Sequence, residues 1–381
     1  MSFSKKILYT ALAALLILTA GTPVFAGGSS EGGAIKIGAV SARTGDNAGL
    51  GEMQGNGAKL AVAEINAKGG VLGRQIELIL EDSQGIPAQA VAALNKLLHR
   101  DNVAVVIGDS QSSPCFAMLP VIEKAQVPML PHGTNVGICE QGNQWIFRTR
   151  ANDEVKFGSL GSYLIDDVGF KRLAILHDSA DYGIGGAASI EKALAGRTNI
   201  IVANETFTPG DKDFSSQLLK IRNANPDVLV LIGPMVDMGL AMKQARQMGI
   251  EARFAGGAGI ESTTTVGAAG GAAENLIFAA GFISANPDPQ VSDFVTSFEK
   301  NYGKTPDDFA ATGYDSIYLA AAAIEKAGST DHAAIQKALR ELTFKGVEGT
   351  FDFDANGEGL HSMQFGTIKN GATAFFDPSM K

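Results

Sequence analysis

VAVVIGDSQSSPCF, residues 103–116, runs five strand-forming residues, Val103 to Ile107, into Gly108 and then into Asp109, Ser110, Gln111, Ser112 and Ser113. Pro114 follows and opens a helix that reaches Lys124, because proline suits the first helical turn. A short, wholly apolar strand reads as one buried on both faces of a parallel sheet. In such sheets ligands bind outside the carboxyl ends of the strands. The small polar cluster after Ile107 therefore reads as one wall of a binding cleft.

The same pattern extends in both directions. AIKIGAV, residues 34–40, is a strand, and Met53, Ala58, Ala61, Val62 and Ile65 then mark one face of a helix that Gly69 and Gly70 stop. QIELILE is a strand, Pro87 starts a helix, and VPML follows the Pro114 helix. A second series begins after Arg150: a helix over 153–167, RLAILH, a helix from about Ile184, NIIVAN, a helix over 213–223, DVLVLI, a helix over 237–247, ARFAG and LIFAAGF. Three helices then run together, near 290–302, 308–327 and 331–341. The segment from Val347 to Gly371 reads as a hairpin, with turn signals at Ala355-Asn356-Gly357 and Asn370-Gly371. The fold class is α/β, and 381 residues exceed one hydrophobic core and suit two lobes.

The start of the chain reads as an export signal. Lys5 and Lys6 precede an apolar stretch from Ile7 to Ala20, too short to span a bilayer, and Val24 and Ala26 place cleavage after Ala26. Residues 27–33 then form a flexible mature N-terminus. Removing residues 1–26 takes away two lysines and no acid, so the mature chain is two charges more acidic than the −9 of the full sequence. That balance disfavours nucleic acid as a partner. Cys115 and Cys139 are the two cysteines, and in an oxidising compartment they are a possible disulfide.

Enzyme motifs fail on inspection. GDSQS, residues 108–112, lacks the final glycine of a nucleophile elbow, since Ser112 stands there. GKT at 303–305 lacks the first glycine of a phosphate loop, since Phe298 stands there. The five histidines show no metal-ligand spacing. No cofactor and no metal are expected. What remains is a set of polar strand ends: SARTG, GDSQSS, PHGT, HDSADYG, GPM and GGAGIES. Their hydroxyls and backbone N–H groups suit a carboxylate or another small anion. Asp109, Asp178, Asp181, Asp237 and Glu261 supply acids there, and Tyr182 supplies a rigid ring with a hydroxyl.

The stretches IKIGAVSARTGDNAGLGEMQGNGAKLAVAEINAKGGVLG, VVIGDSQSS, VPMLPHGT, WIFRTR, LAILHDSADYGIGG and GDKDFSSQLLKIRNANPDVLVLIG carry a resemblance across residues 34–370. The chain resembles the periplasmic solute-binding proteins of branched-chain amino acid ABC transporters, of the leucine/isoleucine/valine-binding type. The resemblance implies two doubly wound parallel-sheet lobes joined by a three-strand hinge with crossings near 150, 281 and 350. Lobe 1 would be 34–150 with 281–350, and lobe 2 would be 151–280 with 351–381. It implies a monomer in the periplasm that closes on a small ligand and meets the transmembrane subunits of an ABC permease.

Residue by residue, the resemblance places the carboxylate-binding serine at Ser112, beside Ser110 and Gln111. It places the threonine that holds the head group at Thr134, with the backbone of His132 and Gly133 next to it. Tyr182 matches the tyrosine of the second lobe, and Phe309 an aromatic of the side-chain pocket. Three positions depart from the pattern. The carboxylate that pairs a ligand ammonium falls at Ala258, with Glu261 three positions on; a cleft aromatic falls at Pro234; and Leu50 stands where an aromatic often sits. An ammonium left unpaired in a dry cleft is costly. The ligand class therefore spans branched-chain and other amino acids, related organic acids and small amides. The alternative role is a receptor domain that senses a small amide or an aromatic or aliphatic acid.

Overall fold

Strand β1 (Ile35–Ser41) sends Ile35, Ile37 and Ala39 to one face and Val40 to the other, as a period of two requires. Helix α1 (Ala48–Ala67), β2 (Ile76–Asp82), α2 (Pro87–Lys96), β3 (Val105–Ile107), α3 (Ser112–Ala125), β4 (Met129–Leu130) and the short α4 (Gly137–Glu140) complete the first series. These four strands form one all-parallel sheet in the order β2-β1-β3-β4. The computed structural model describes residues 33–257 and 259–376. The expected export signal, its cleavage site after Ala26, residues 27–32 and Ala258 lie outside the described residues.

The second series comprises α5 (Ser159–Asp166), β5 (Leu173–Asp178), α6 (Asp181–Ala193), β6 (Ile201–Phe207), α7 (Ser215–Ala224), β7 (Val228–Ile232), α8 (Met235–Gln247), β8 (Arg253–Gly257), α9 (Thr263–Ala269) and β9 (Ile277–Ala280). After it come α10 (Pro289–Tyr302), α11 (Asp308–Ala327), α12 (His332–Arg340), β10 (Thr343–Lys345), β11 (Thr350–Asp352), β12 (Gln364–Lys369) and β13 (Ala372–Phe375). The second sheet runs β13-β12-β9-β8-β7-β5-β6. Strands β9, β8, β7, β5 and β6 are parallel, and β12 and β13 add an antiparallel pair at the other edge.

Each sheet is covered on both faces, so each lobe holds two apolar layers. In the first, Ile37 and Val105 pack with Ala61, Ile317 and Ile324, while Val40 and Val106 pack with Leu94, Met118 and Ile122. In the second, Leu176, Leu229 and Phe254 pack with Leu218 and Met242, while Ile175, Val230 and Ile277 pack with Leu164 and Ile190. Helices α1 and α11 cross with almost no gap. A Cβ on Gly57 would lie 1.9 Å from the Ala310 carbonyl oxygen, and one on Gly313 would lie 2.1 Å from that of Gln54.

The tail differs from the single hairpin expected of residues 347–371. β11 pairs backward with β10, and β12 pairs forward with β13 across Asn370-Gly371. The stretch between them is held elsewhere: Arg148 N–H donates to the Gly357 carbonyl, and Gly359 N–H donates to the Arg148 carbonyl. Phe351, Phe353 and Leu360 pack into the first core. The last crossing to the second sheet therefore falls between Leu360 and Gln364, not near 350. Helix α3 also starts two residues before Pro114, because Cys115 N–H bonds the Gln111 carbonyl and closes a turn there.

Candidate ligand-binding cleft

The polar residues after β3 divide their work. Asp109 is buried, accepts a short bond from the Ser83 hydroxyl and takes Gln111 N–H at 2.9 Å; burial pushes its carboxyl up to about 6. It shapes the turn and does not face the cleft. Ser110 donates to Gln54 Oε1, and Gln54 Nε2 reaches the Gly108 carbonyl at 3.0 Å. An amide oxygen is no general base, so Ser110 is not activated as a nucleophile. Asn47 Nδ2 donates to Gln111 Oε1 at 2.8 Å. Ser112 Oγ accepts Asn135 N–H at 3.2 Å, which leaves its own O–H to donate.

Across β4, Thr134 takes Lys156 Nζ on its Oγ1 at 3.0 Å. Lys156 is 1 % exposed, lies 3.1 Å from Asp153 Oδ1, and sits 4.8 Å above each of the Phe157 and Tyr182 rings. Burial pulls its pKa down to about 8 against the opposing pull of Asp153, so it remains a cation at neutral pH. Arg150 lies with its guanidinium 4.4 Å from the Phe309 ring centroid, in an ion pair with Asp308.

A cavity of about 380 Å³ opens between these groups. Of the residues singled out in the sequence, Leu50, Ser110, Gln111, Ser112, Thr134, Asp178, Tyr182, Pro234 and Phe309 line it. His132 and Gly133 do not. The His132 ring is buried against Ser316 Oγ at 2.8 Å, and burial followed by Arg150 holds its pKa well below the usual value. Arg150 and Arg148 take the His132 and Gly133 carbonyls at 3.4 and 3.1 Å. A Cβ at Gly133 would come within 3.0 Å of Cys115 Sγ, so this pair forms the close-packed backing of the wall. Cys115 and Cys139 remain separate buried thiols, with Cys115 donating to the Asp109 carbonyl at 3.1 Å; the cross-link left open by the sequence is not formed.

Among the acids, Asp178 lines the cavity. Its Oδ1 receives Ala180 and Gly183 N–H at the start of α6, and burial raises it to about 6. Glu261 is not a lining residue: Oε2 takes Gly259 N–H at 2.8 Å, and burial, then Asp308, pushes it up to about 8. The far wall is apolar, with Leu50, Met235 and Phe309 in contact and Met238 beside them. Arg150, Lys156 and Asn47 were not read from the sequence. A charge inside the crossing segment WIFRTR was the available signal for Arg150, and nothing local distinguished Lys156 from a solvent-facing helix lysine.

The periplasmic binding protein family model matches residues 34–373. The chain belongs to the periplasmic binding protein family. It is 32% identical over 335 residues to the leucine-, isoleucine-, valine-, threonine- and alanine-binding protein of Pseudomonas aeruginosa, covering 88% of this chain and 89% of that one. A solved branched-chain amino acid transporter substrate binding protein, LivJ from Streptococcus pneumoniae in complex with isoleucine, shares 30% identity and a TM-score of 0.84 over 90% of this chain and 99% of that chain. A leucine-binding protein, LivK from Thermotoga maritima, has 28% identity and a TM-score of 0.84, covering 90% and 98%. The binding protein thus has the two-lobed type I periplasmic fold, and its cleft lies where the polar ends of β3, β4 and β5 meet.

Proposed function

We propose that this binding protein is the periplasmic component of an ABC importer, exported by a signal cleaved after Ala26. It takes a small carboxylate-bearing ligand between its lobes and presents the closed form to the permease as a monomer, with no chemistry of its own. One observation carries the carboxylate reading. Ser112 Oγ and Thr134 Oγ1 each already accept a bond from an N–H donor, so their own hydrogens are left for an acceptor at the cavity. Ser112 also opens the fourteen-residue helix α3, whose unpaired N–H groups favour a negative charge. The apolar wall of Leu50, Met235 and Phe309 takes the hydrocarbon part.

Calorimetry and thermal shift with leucine, valine, benzoate and short-chain amides test this, since a ligand of the native form raises the melting point. A carboxylate is expected to bind, and Ser112→Ala to weaken it. Binding of uncharged amides alone would remove the carboxylate assignment.

A further inference from the structure

We infer that Lys156 sets the ligand class: the cleft prefers a carboxylate with no neighbouring ammonium, an aliphatic or aromatic acid, over the α-amino acid of the same skeleton. This deepens the carboxylate reading above and rests on it.

The hydrogen-bond polarity at Thr134 decides the matter. Lys156 Nζ donates to Thr134 Oγ1 at 3.0 Å and is buried. A ligand ammonium, which can only donate, would have to share that oxygen with Lys156 and lie directly beside its positive charge. The nearby carbonyls of His132 and Gly133 are engaged by Arg150 and Arg148. Asp153, the acid 3.1 Å from Lys156, has no exposure and does not line the cavity, so it serves as the counter-charge of that lysine and is out of reach of a ligand. Arg150 itself lines the cavity. The acceptors at this end therefore already face the protein's own cations, and Lys156, paired with Asp153, stands beside the Thr134 hydroxyl while Arg150, paired with Asp308, lines the cavity. A carboxylate seated there gains on both counts. An α-ammonium, attached one carbon away, is brought beside like charge in a poorly hydrated cleft, which is unfavourable. Asp178 is the remaining lining acid; burial raises its carboxyl to about 6, so it stays largely ionised at neutral pH, but its Oδ1 is taken by the Ala180 and Gly183 N–H groups of the second lobe.

The test is calorimetry on the mature protein, freed of bound solute, with leucine against 4-methylpentanoate and phenylalanine against 3-phenylpropanoate. The wild type is expected to bind each desamino acid about tenfold or more tighter than its amino acid, the scale of one charged hydrogen bond. Lys156→Gln is expected to shrink that ratio, and Lys156→Arg to keep most of it. Should Lys156→Gln fail to fold, Thr134→Val, which removes the hydroxyl at constant shape, is expected to weaken the acid more than the amino acid. Amino acids binding as tightly as the desamino acids, or a ratio unmoved by Lys156→Gln, would overturn the role of Lys156 while leaving the carboxylate reading in place. Failure of both acid and amino acid, with a neutral amide bound, would remove the carboxylate reading and this inference together.

Discussion

Arg148 holds the crossing between lobes from inside. It has no exposure, reaches Glu358 through Nε at 2.9 Å and through a second, short bond, and donates to the Asn135 carbonyl at 2.6 Å. Arg148→Ala strands a buried carboxylate, and a loss of about 3–5 kcal/mol is expected in urea unfolding. On the proposed carboxylate reading, Thr134→Ala removes a hydrogen bond to the ligand, and a loss of roughly 1.5–3 kcal/mol of binding is expected by calorimetry. Glu261 makes a pH prediction. Its carboxyl is pushed from the ordinary 4.5 up to about 8 by burial and then by Asp308. A folded-state pKa raised this way contributes stability that is full below about pH 4.5 and is lost as pH rises through about 8. The melting point of the unliganded protein is expected to fall over that window. Glu261→Gln is expected to flatten the fall by roughly 2–4 °C, the shift that about 1 kcal/mol produces.

At the scale of elements, the α1–α11 crossing positions Phe309. That residue lies in the first turn of α11, where Asp307 caps the helix by accepting Phe309 and Ala310 N–H at 3.0 Å. The same Ala310 carbonyl would meet a Cβ on Gly57. Gly57→Ala is therefore expected to push the helices apart at a cost of about 1–3 kcal/mol. It should also lower ligand affinity through displacement of Phe309, read together as a urea midpoint and a calorimetric titration. A stability loss with unchanged affinity would separate the crossing from the pocket. Element reading from sequence worked best where an apolar stripe was long or a strand was a continuous buried run, as in α11 and β5. It failed for the tail, because Gly357, Glu358 and Gly359 bond to Arg148, more than 200 residues away.

For the whole molecule, the lobes already touch across the cleft. Ser113 Oγ donates to Asp181 Oδ2 at 2.6 Å, Asn135 Nδ2 donates to the Asp181 carbonyl at 2.7 Å, and Lys156 meets Thr134. A ligand that bridges both walls shifts the population toward the closed form by its differential affinity. Small-angle scattering is expected to show a smaller radius of gyration on ligand addition. Asp181→Ala removes a cross-lobe acceptor without touching the cavity, so affinity is expected to drop about two- to tenfold while the bound-state radius stays the same.

Strand–helix alternation, the two-lobe plan and much of the cavity lining could be read along the chain. Each depends on spacing, on residue type at strand ends or on a family resemblance carried by contiguous motifs. The polarity of the cleft could not be read that way. Lys156 looks like any helix lysine until folding places Thr134, Asp153 and Tyr182 around it, and the His132 and Gly133 carbonyls look available until Arg150 and Arg148 reach them. Hydrogen-bond donors and acceptors cancel in space between residues distant in sequence, so what a cleft leaves unpaired for its ligand emerges only once the lobes are packed.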